Sequence, residues 1–419
     1  MLAACNADLV RRDPALPGLA TLLDPEALAA ALHRALPGPG PASARITYLK
    51  YRPGRKCLVG CRLAFPGTTL EASATAYRPG SGKFPAACEQ AHVVLHTDAV
   101  VVSFFPNDGR LNALPFLADG DSRHRLLVEL LPDRPDLWQA ELQTLVYRPR
   151  RRYVAKLLSG GAPRAVLKVY AESGYPAARA SAAAFAPRGP LRLAPLLGAS
   201  DRHRIVASGW LTGRSLYEAL GEATFDLRDM TTVGAAVAEL HAQDPPGLRQ
   251  RTREAEATSL LKVADRLGFV CPHLARRVQD FARQLADCLA QGPPLVCPIH
   301  GDLSPKQVLI DRGAVAVIDF DEATRGDPLA DLGNFIAKLE RAALRGEISP
   351  GRAEAMADAF LEGYRVALPL HRLRLYTAAG LLRLAPHAFL RLEPDWPERI
   401  EMILARGETI LEASHAIAR

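Results

Sequence analysis

The stretch 296–335 constrains the fold and function of this chain more than any other. In it, a short apolar hairpin is bordered by acidic and amide side chains. An apolar run ends in His300-Gly301-Asp302, and Gln307 stands five residues after Asp302. A turn at 311–313 leads into a second apolar strand that delivers Asp319 at its end. The hairpin would hold two carboxylates and an amide beside rigid β-structure. Phosphoryl transfer from ATP to an alcohol uses such a set, in which one carboxylate accepts the hydroxyl proton and the other two groups hold magnesium.

Two segments of this stretch, HGDLSPKQVL from His300 and IDFDEATRGDPLADLG from Ile318, resemble the catalytic core of the aminoglycoside phosphotransferase and choline kinase family. The family pattern is HGDxxxxN, a hydrophobic hairpin, and then IDxxxxxxGDPxxDLA. The resemblance implies a protein-kinase-like fold, with Asp302 as the catalytic base and Asp319 as a magnesium ligand. Gln307 stands where the family usually has a metal-binding Asn, so the amide oxygen is kept but lies one methylene farther out.

Other polar residues of the stretch have structural interpretations. His300 is expected to brace its loop by hydrogen bonds. Asp327-Pro328 is typical of an N-cap followed by proline at the first helical position, which predicts a helix over 329–341. The family resemblance implies that Asp331, one turn into that helix, braces the catalytic loop from behind.

The composition favours a soluble globular protein of more than one domain. A chain of 419 residues suits two or three domains, and 48% hydrophobic with 23% charged residues is an ordinary globular profile. No apolar run is long enough to span a membrane, and the first residues lack the pattern of a secretory signal. Seven cysteines without a CxxC pair argue against a disulfide framework or a zinc site, so we expect a cytoplasmic protein.

The charge of the chain argues against nucleic-acid binding. The net charge of +7 is mild for this length, and the basic residues are spread along the sequence. Aromatic residues make up only 6%, and no basic patch is interleaved with stacking rings. The excess of positive charge also suits a protein that holds a nucleotide triphosphate.

A three-strand pattern occurs twice, about ninety residues apart. Two strand-like runs around the basic turn 52–56 recur around the arginine-rich turn 148–152, and in both places a third strand ends in a tyrosine, Tyr77 or Tyr170. A Ser-Gly segment and an aromatic-Pro-Ala-Ala helix start follow each tyrosine. We interpret this as a duplicated, kinase-like small-lobe unit, with chance similarity between two arginine-rich hairpins as the alternative.

The two copies differ at a position that bears on function. Lys168 lies two residues before Tyr170, whereas Thr75 lies at the matching position before Tyr77. In kinase-like enzymes a third-strand Lys holds the α and β phosphates of the nucleotide. We therefore expect a degenerate unit at 1–135, an active small lobe at 136–207 and a helical large lobe with the catalytic hairpin at 208–419.

Further nucleotide contacts are predicted from two segments of the second copy. The turn of its first hairpin lacks the glycines of a phosphate-covering loop, but guanidinium groups such as those of Arg150 and Arg151 could bind phosphate oxygens. A solvated hairpin tip explains these arginines equally well. The segment Gly209-Trp210-Leu211 resembles the linker between the two lobes of the family, whose backbone groups would pair with adenine.

The sequence thus predicts an α+β, two-lobed, protein-kinase-like fold with an additional N-terminal domain that resembles a duplicated small lobe. It predicts an enzyme that uses ATP and Mg²⁺ to phosphorylate a hydroxyl of a small polar molecule such as an amino sugar, a sugar or an amino alcohol. Two alternatives remain open at this point, an inactive nucleotide-binding scaffold and a nucleotidyl transferase. Homodimerisation through the first unit is left open, and neither nucleic acid nor a membrane is expected as a partner.

Overall fold

The computed structural model describes residues 2–89, 91–291, 295–311, 313–366 and 369–418. Helices and sheets are both abundant, so the predicted α+β class is confirmed. Contacts between residues divide the chain into two compact units. The first contains residues up to Tyr175 together with 197–208 and 387–397, and the second contains the rest. The predicted domain boundaries near 135 and 207 stay predictions.

The first unit opens with three helices and a five-stranded sheet. The sheet is antiparallel and has the order β1-β2-β3-β5-β4. The elements in chain order are α1 Ala4–Arg12, α2 Leu19–Leu23, α3 Pro25–Ala35, β1 Ser43–Arg52, β2 Lys56–Phe65, β3 Thr68–Tyr77, α4 Lys83–Cys88, β4 Val93–Leu95 and β5 Val100–Phe104.

A second five-stranded sheet follows, with the order β6-β7-β8-β11-β10. Its elements, together with the short strand β9 that belongs to another sheet, are α5 Leu114–Ala118, α6 Gly120–Leu130, β6 Glu141–Arg148, β7 Arg152–Ser159, β8 Ala162–Tyr170, α7 Tyr175–Ser181, β9 Leu191–Arg192, β10 Leu196–Ser200 and β11 Ile205–Gly209. Because both sheets place their strands in the same spatial order, the duplication predicted from the two hairpins is present in the fold.

A buried aspartate anchors the first hairpin turn of the first copy. Asp13 is 3% exposed, and its Oδ2 accepts hydrogen bonds from the Tyr51 hydroxyl at 2.6 Å and from the backbone N–H of Gly54 at 2.9 Å. Gly54 has a φ of 64°, which favours glycine. The carboxylate therefore fixes a left-handed turn that β1 and β2 could not close by themselves.

The second copy repeats this anchor with Asp108. Its Oδ2 accepts from the Tyr147 hydroxyl at 3.0 Å and from the Arg150 N–H at 2.8 Å. Its Oδ1 accepts from the N–H groups of Arg110 and Leu111 at 2.9 and 3.3 Å. Arg150 has a φ of 58°, so an arginine occupies the left-handed position that a glycine occupies in the first copy.

The duplication also covers the ends of the third strands and the helices before each sheet. In the first copy the N–H of Tyr77 donates to the Ala99 carbonyl at 3.0 Å, and in the second copy the N–H of Tyr170 donates to the Arg204 carbonyl at the same distance. Both acceptor residues have positive φ. The helices α3 and α6 are each N-capped by an aspartate side chain. Helices α5 and α6 share one apolar core with the second sheet. Each repeat is therefore a sheet with its preceding helices.

The second unit is mostly helical. Its two small sheets have the orders β12-β14-β15-β9 and β13-β16. Helix α9 packs on α13, where a Cβ on Gly234 would lie 1.9 Å from the Phe360 carbonyl, so the helices can approach closely only with glycine there. The elements after β11 are β12 Arg214–Ser215, α8 Leu216–Ala219, α9 Leu227–His241, α10 Arg253–Val270, α11 Ala275–Ala290, β13 Cys297–Ile299, β14 Val308–Asp311, β15 Ala314–Val317, β16 Thr324–Gly326, α12 Pro328–Leu344, α13 Pro350–Tyr364, α14 Leu370–Leu384, α15 His387–Leu390 and α16 Trp396–Ala418. Of these, α15 belongs to the first unit.

Two expectations from composition can be compared with the structure. Within the ranges given above, no helix combines the length and the apolar character that crossing a bilayer requires. All seven cysteines are free thiols, and Cys57 and Cys61 are buried in the first sheet. Burial raises the pKa of the Cys61 thiol to about 12, which suits an unreactive core residue.

We expect Asp108→Ala to destabilise the protein by about 3 kcal/mol, because the buried Tyr147 hydroxyl and several backbone N–H groups would lose their acceptor. The free energy of unfolding would be measured by urea denaturation of the full chain. Asp136→Ala is the matched control and should change that free energy little, since Asp136 is an exposed carboxylate whose ion pair within the described residues is with the neighbouring Arg134. Equal effects of the two substitutions would contradict the anchoring role of Asp108.

Candidate active site

The predicted catalytic segment, 296–335, lies in the second unit, where short strands end. Strand β13 precedes the predicted catalytic loop and pairs antiparallel with β16. Strands β14 and β15 form the predicted hairpin, with Val308 opposite Val317. The predicted turn residue Arg312 lies outside the described residues. Asp302 and Gln307 therefore lie between β13 and β14, and Asp319 follows β15 after one residue.

His300 connects the predicted catalytic loop to the hairpin. Its Nε2 lies 2.9 Å from the Ile318 carbonyl, and its Nδ1 lies 3.3 Å from the backbone N–H of Asp302. One tautomer makes both bonds, since Nε2–H donates and Nδ1 accepts. The ring also packs on Phe320, with centroids 4.9 Å apart. The predicted bracing role of His300 is confirmed.

Asp331, which is 1% exposed, holds the loop from the other side. Its two oxygens accept hydrogen bonds from the backbone N–H groups of His300 at 2.6 Å and Gly301 at 2.8 Å, which gives Asp331 the bracing position that the family resemblance implied. His241 bonds the same carboxylate at 3.1 Å and is itself bonded to the Tyr364 hydroxyl at 2.9 Å. Burial raises the pKa of Asp331, but the hydrogen bond and attraction of His241 and the N–H of His300 outweigh it and hold that pKa below its usual value.

The conformation of the loop requires glycine at one position. Gly301 has a φ of 82°, and a Cβ on it would lie 2.1 Å from the carbonyl oxygen of Glu322. The N–H of Gly301 points to Asp331 in this conformation. A side chain at Gly301 would therefore move the backbone immediately before Asp302.

Asp302, the predicted base, is exposed and is oriented by helix α12. Its side chain is 54% exposed, and its Oδ1 lies 2.8 Å from the Lys338 ammonium. One turn earlier on the same helix, the amide of Asn334 donates to the Leu303 carbonyl at 2.9 Å. Neither Lys338 nor Asn334 was singled out from the sequence, although both lie on the helix that the DPLADLG segment begins. Residues four apart lie on the same face of a helix, and this helix starts beside the loop. That spacing could have identified Asn334 and Lys338 from the sequence.

Gln307 and Asp319 offer oxygen atoms near the same hairpin. The N–H of Ile318 donates to the Gln307 carbonyl at 2.9 Å, which ties the residue before Asp319 to Gln307. The side-chain Oε1 of Gln307 is buried and accepts no hydrogen bond from the described residues. Asp319 has the left-handed φ of 69°, an uncommon backbone for a non-glycine residue. Within the described ranges, no cluster of three or more His, Cys, Asp or Glu side chains is arranged to hold a metal.

The predicted linker ends the second sheet. Gly209 is the last residue of β11, and its N–H donates to the Pro195 carbonyl at 2.8 Å. Trp210 and Leu211 follow outside regular secondary structure and are partly buried. Their backbone groups make no hydrogen bond to any other residue that the structure describes. The linker thus has backbone donors and acceptors available for a ligand.

The remaining predicted nucleotide contacts belong to the first unit. Lys168 lies on β8 opposite Val154, and it is half-buried. Thr75 lies on β3 opposite Leu58, which is the same position in the first sheet, so the predicted correspondence between Lys168 and Thr75 is confirmed.

The two arginines at the turn of the second hairpin differ in environment. Arg151 is exposed, whereas the guanidinium of Arg150 lies 3.3 Å from the Tyr77 hydroxyl in the first copy. The roles of Arg150 and Arg151 in binding a nucleotide stay predictions.

The sequence profile of a family described as the phosphotransferase enzyme family matches residues 145–370, more than half of the chain. No curated protein sequence matches the chain. The profile match covers the second sheet from the middle of β6 onward, the predicted linker, the predicted catalytic hairpin and helices α8–α13.

Three solved structures are similar to much of the chain. A choline/ethanolamine kinase family protein from Mesorhizobium loti is 18% identical over 70% of this chain and 94% of its own, with a TM-score of 0.45. A thermostable mutant of the aminoglycoside phosphotransferase APH(4)-Ia is 20% identical over 69% and 98%, with a TM-score of 0.48. The macrolide 2′-phosphotransferase MphH from Brachybacterium faecium is 19% identical over 63% and 91%, with a TM-score of 0.42.

We expect Asp331→Asn to destabilise the protein by about 3 kcal/mol, because the amide nitrogen would face a backbone N–H donor. The folded-state pKa of Asp331 is lowered, so its contribution is present above its ordinary pKa of 3.8 and is lost as the pH falls below that value. The difference in unfolding free energy between wild type and variant should therefore narrow on acidification, as measured by denaturation at several pH values.

The exposed Asp358 on α13 offers the control, and Asp358→Asn should be nearly neutral at every pH. A constant difference between wild type and Asp331→Asn down to the lowest pH would contradict the ionised, hydrogen-bonded state of Asp331.

Proposed function

The chain belongs to the phosphotransferase enzyme family, and from that premise we propose that it transfers the γ-phosphoryl group of ATP to a hydroxyl of a small polar molecule. Amino sugars, sugars and amino alcohols are the acceptor classes that the motif resemblance suggests. The observation that carries the proposal is the environment of Asp302, a carboxylate on a rigidly held loop with one oxygen available to a ligand.

Asp302 is suited to orient an acceptor hydroxyl. Lys338 engages Oδ1, while Oδ2 accepts no hydrogen bond from the part of the chain that the structure describes. The loop beneath it is fixed by His300 and Asp331, so the free oxygen has a defined position. A fixed acceptor for the hydroxyl proton supplies the orientation on which phosphoryl transfer depends.

The residues around the hairpin also fit a magnesium ion. The buried Oε1 of Gln307 has no hydrogen-bond donor among the described residues, and a buried polar atom without a partner is costly. A hard cation would satisfy that oxygen, and the Asp319 carboxylate beside β15 supplies the negative charge that Mg²⁺ prefers. We therefore assign Gln307 and Asp319 as the residues that would hold it. When bound, the ion would neutralise negative charge on the phosphates of the nucleotide.

Two sets of residues are candidates for binding the nucleotide itself. Lys168 would pair with the α and β phosphates, since it stands on the third strand where such a lysine is used. The unpaired backbone groups of Trp210 and Leu211, with Gly209 before them, would bond the adenine edge. These assignments are supported by strand position and by backbone groups that lack a partner among the described residues.

In the proposed reaction the acceptor oxygen forms a bond to the γ-phosphorus while the bond from that phosphorus to the β–γ bridging oxygen breaks. ADP leaves with the electron pair of the broken bond. Asp302 holds the hydroxyl proton and accepts it as the new ester forms. Lys338 keeps the carboxylate in place and adds positive charge beside the transferring group.

We expect Asp302→Asn to lower turnover about a thousandfold, because an amide cannot accept the hydroxyl proton. Nucleotide binding should be nearly unchanged, since Asp302 is assigned to the acceptor and not to the nucleotide. Turnover would be measured with ATP and Mg²⁺ across aminoglycosides, sugars and amino alcohols, and nucleotide binding by calorimetry. Asp311→Asn, at the far end of the same hairpin, is the matched control and should retain activity.

Product analysis separates the alternatives. A product heavier by one phosphoryl group supports the proposal, and one heavier by a nucleotidyl group would replace it with nucleotidyl transfer. Nucleotide binding without turnover of any acceptor, in wild type as in Asp302→Asn, would favour the inactive scaffold.

We expect Gln307→Ala to raise the magnesium concentration for half-maximal turnover about tenfold or more, because a ligand oxygen is lost. Without magnesium the same variant should be no less stable than wild type, since the oxygen removed is buried and unpartnered. Thermal unfolding with and without the ion gives this second readout. Loss of stability without metal, combined with an unchanged magnesium requirement, would show that Gln307 is a structural residue.

A further inference from the structure

Basic side chains gather on one face of the first sheet, beside the turn of its first hairpin. Arg52 and Lys56 are directly opposite each other on β1 and β2, and Lys56 is directly opposite Tyr77 on β3. Directly opposite residues in an antiparallel sheet point to the same face with their Cβ atoms about 5 Å apart. Two cations and a tyrosine therefore stand in a row across three strands.

The second copy adds two arginines to this row. Its hairpin turn packs on the first sheet, where a Cβ on Gly60 would lie 2.9 Å from Pro149 Cδ. Arg150 follows, and its guanidinium lies 3.3 Å from the Tyr77 hydroxyl. The anchor carboxylate Asp108 holds the backbone of both Arg150 and Arg110, so these two residues are positioned together.

The cluster has an unbalanced positive charge. Lys56 is only partly exposed, and no ion pair or hydrogen bond joins the side chain of Lys56, Arg52 or Arg110 to any acceptor in the described ranges. Burial, followed by the charges of Arg150, Arg52, Arg110 and Lys50, lowers the pKa of Lys56 to about 8. The nearby Asp108 carboxylate is already committed to four hydrogen-bond donors from the chain.

The cluster does not include Lys168, the predicted third-strand phosphate contact of the second copy. It does include Arg150, which the sequence also offered as a phosphate contact but whose guanidinium lies beside Tyr77 of the first copy. Lys168 corresponds to Thr75, a buried residue of β3, and not to Lys56. The counterpart of Lys56 in the second sheet is Arg152, which lies opposite Arg148 and Tyr170. The first copy therefore lacks the third-strand lysine yet carries a cationic site at the edge where the two copies meet.

We propose that Lys56, Arg52, Arg110 and Arg150 form a binding site for a phosphate-bearing small molecule, distinct from the catalytic nucleotide. A phosphate group with several charged oxygens can bind several cations at once. Its oxygens can accept bidentate hydrogen bonds from the guanidinium groups and an ion pair from the Lys56 ammonium. A carboxylate ligand would neutralise only one of them. The Tyr77 hydroxyl at the centre of the row provides a further hydrogen bond.

Inorganic pyrophosphate is the probe for the test, with thermal unfolding of the full chain as the readout at constant ionic strength. We expect the melting temperature to rise with pyrophosphate in wild type and equally in Lys168→Ala, which removes the predicted contact to the nucleotide phosphates. Lys56→Met should weaken the apparent affinity at least about tenfold, the loss expected for one charged contact. Arg45→Gln, an exposed position earlier on β1, is the matched control and should bind as wild type does.

Two further readouts keep the test decisive if a variant changes stability by itself. Without pyrophosphate, Lys56→Met should melt higher than wild type, because it removes repulsion among the clustered cations. Pyrophosphate affinity of wild type should fall as the pH rises above about 8, where Lys56 loses its proton while the arginines stay charged.

The site would be refuted by a melting shift no larger than that given by sodium chloride, by equal shifts in wild type and Lys56→Met, or by loss of the shift in Lys168→Ala. The last result would place the pyrophosphate at the nucleotide site. Failure of these experiments leaves the proposed phosphotransfer untouched, since that is tested by turnover of Asp302→Asn.

Discussion

The buried carboxylate of Asp331 is the interaction on which the candidate active site depends. It lies inside a helical unit and bonds two successive backbone N–H groups, those of His300 and Gly301. A buried carboxylate that lost these donors would be strongly unfavourable, so the loop and helix α12 can fold only together. The position of Asp302 follows from this constraint, because its own backbone is tied to His300.

Sequence reasoning succeeded where the relevant contacts are local. The N-cap of α12, the two strands of the catalytic hairpin and the bracing His300 all lie within one stretch, where spacing and residue type are informative. Lys338 was missed because it reaches Asp302 across 36 residues, and nothing in the sequence gives the rotation of α12 about its axis.

The duplicated sheets also show that sequence reasoning finds local patterns but misses contacts between distant residues. The two hairpins were recognisable because each is a short, continuous pattern. The anchors Asp13 and Asp108 were not, since each bonds a tyrosine 38 or 39 residues later through a tertiary contact. The site residues Lys168, Gln307 and Asp319 stand at the positions that the motifs predicted, but their roles depend on ligands whose placement no sequence pattern specifies.

The residue at position 150 has two roles, which are to adopt a left-handed backbone and to place its side chain at the proposed phosphate site. The left-handed backbone there is the one that Gly54 adopts in the first copy, and arginine pays about 1 kcal/mol to adopt it. Folding by itself would thus prefer glycine, and in the proposed phosphate site the Arg150 side chain would offset this cost by binding the ligand. A saturation survey of position 150 should accordingly rank residues differently according to whether yield of folded protein or ligand response is scored. A difference between the two rankings would indicate that Arg150 contributes to ligand binding and lowers the stability of the folded state.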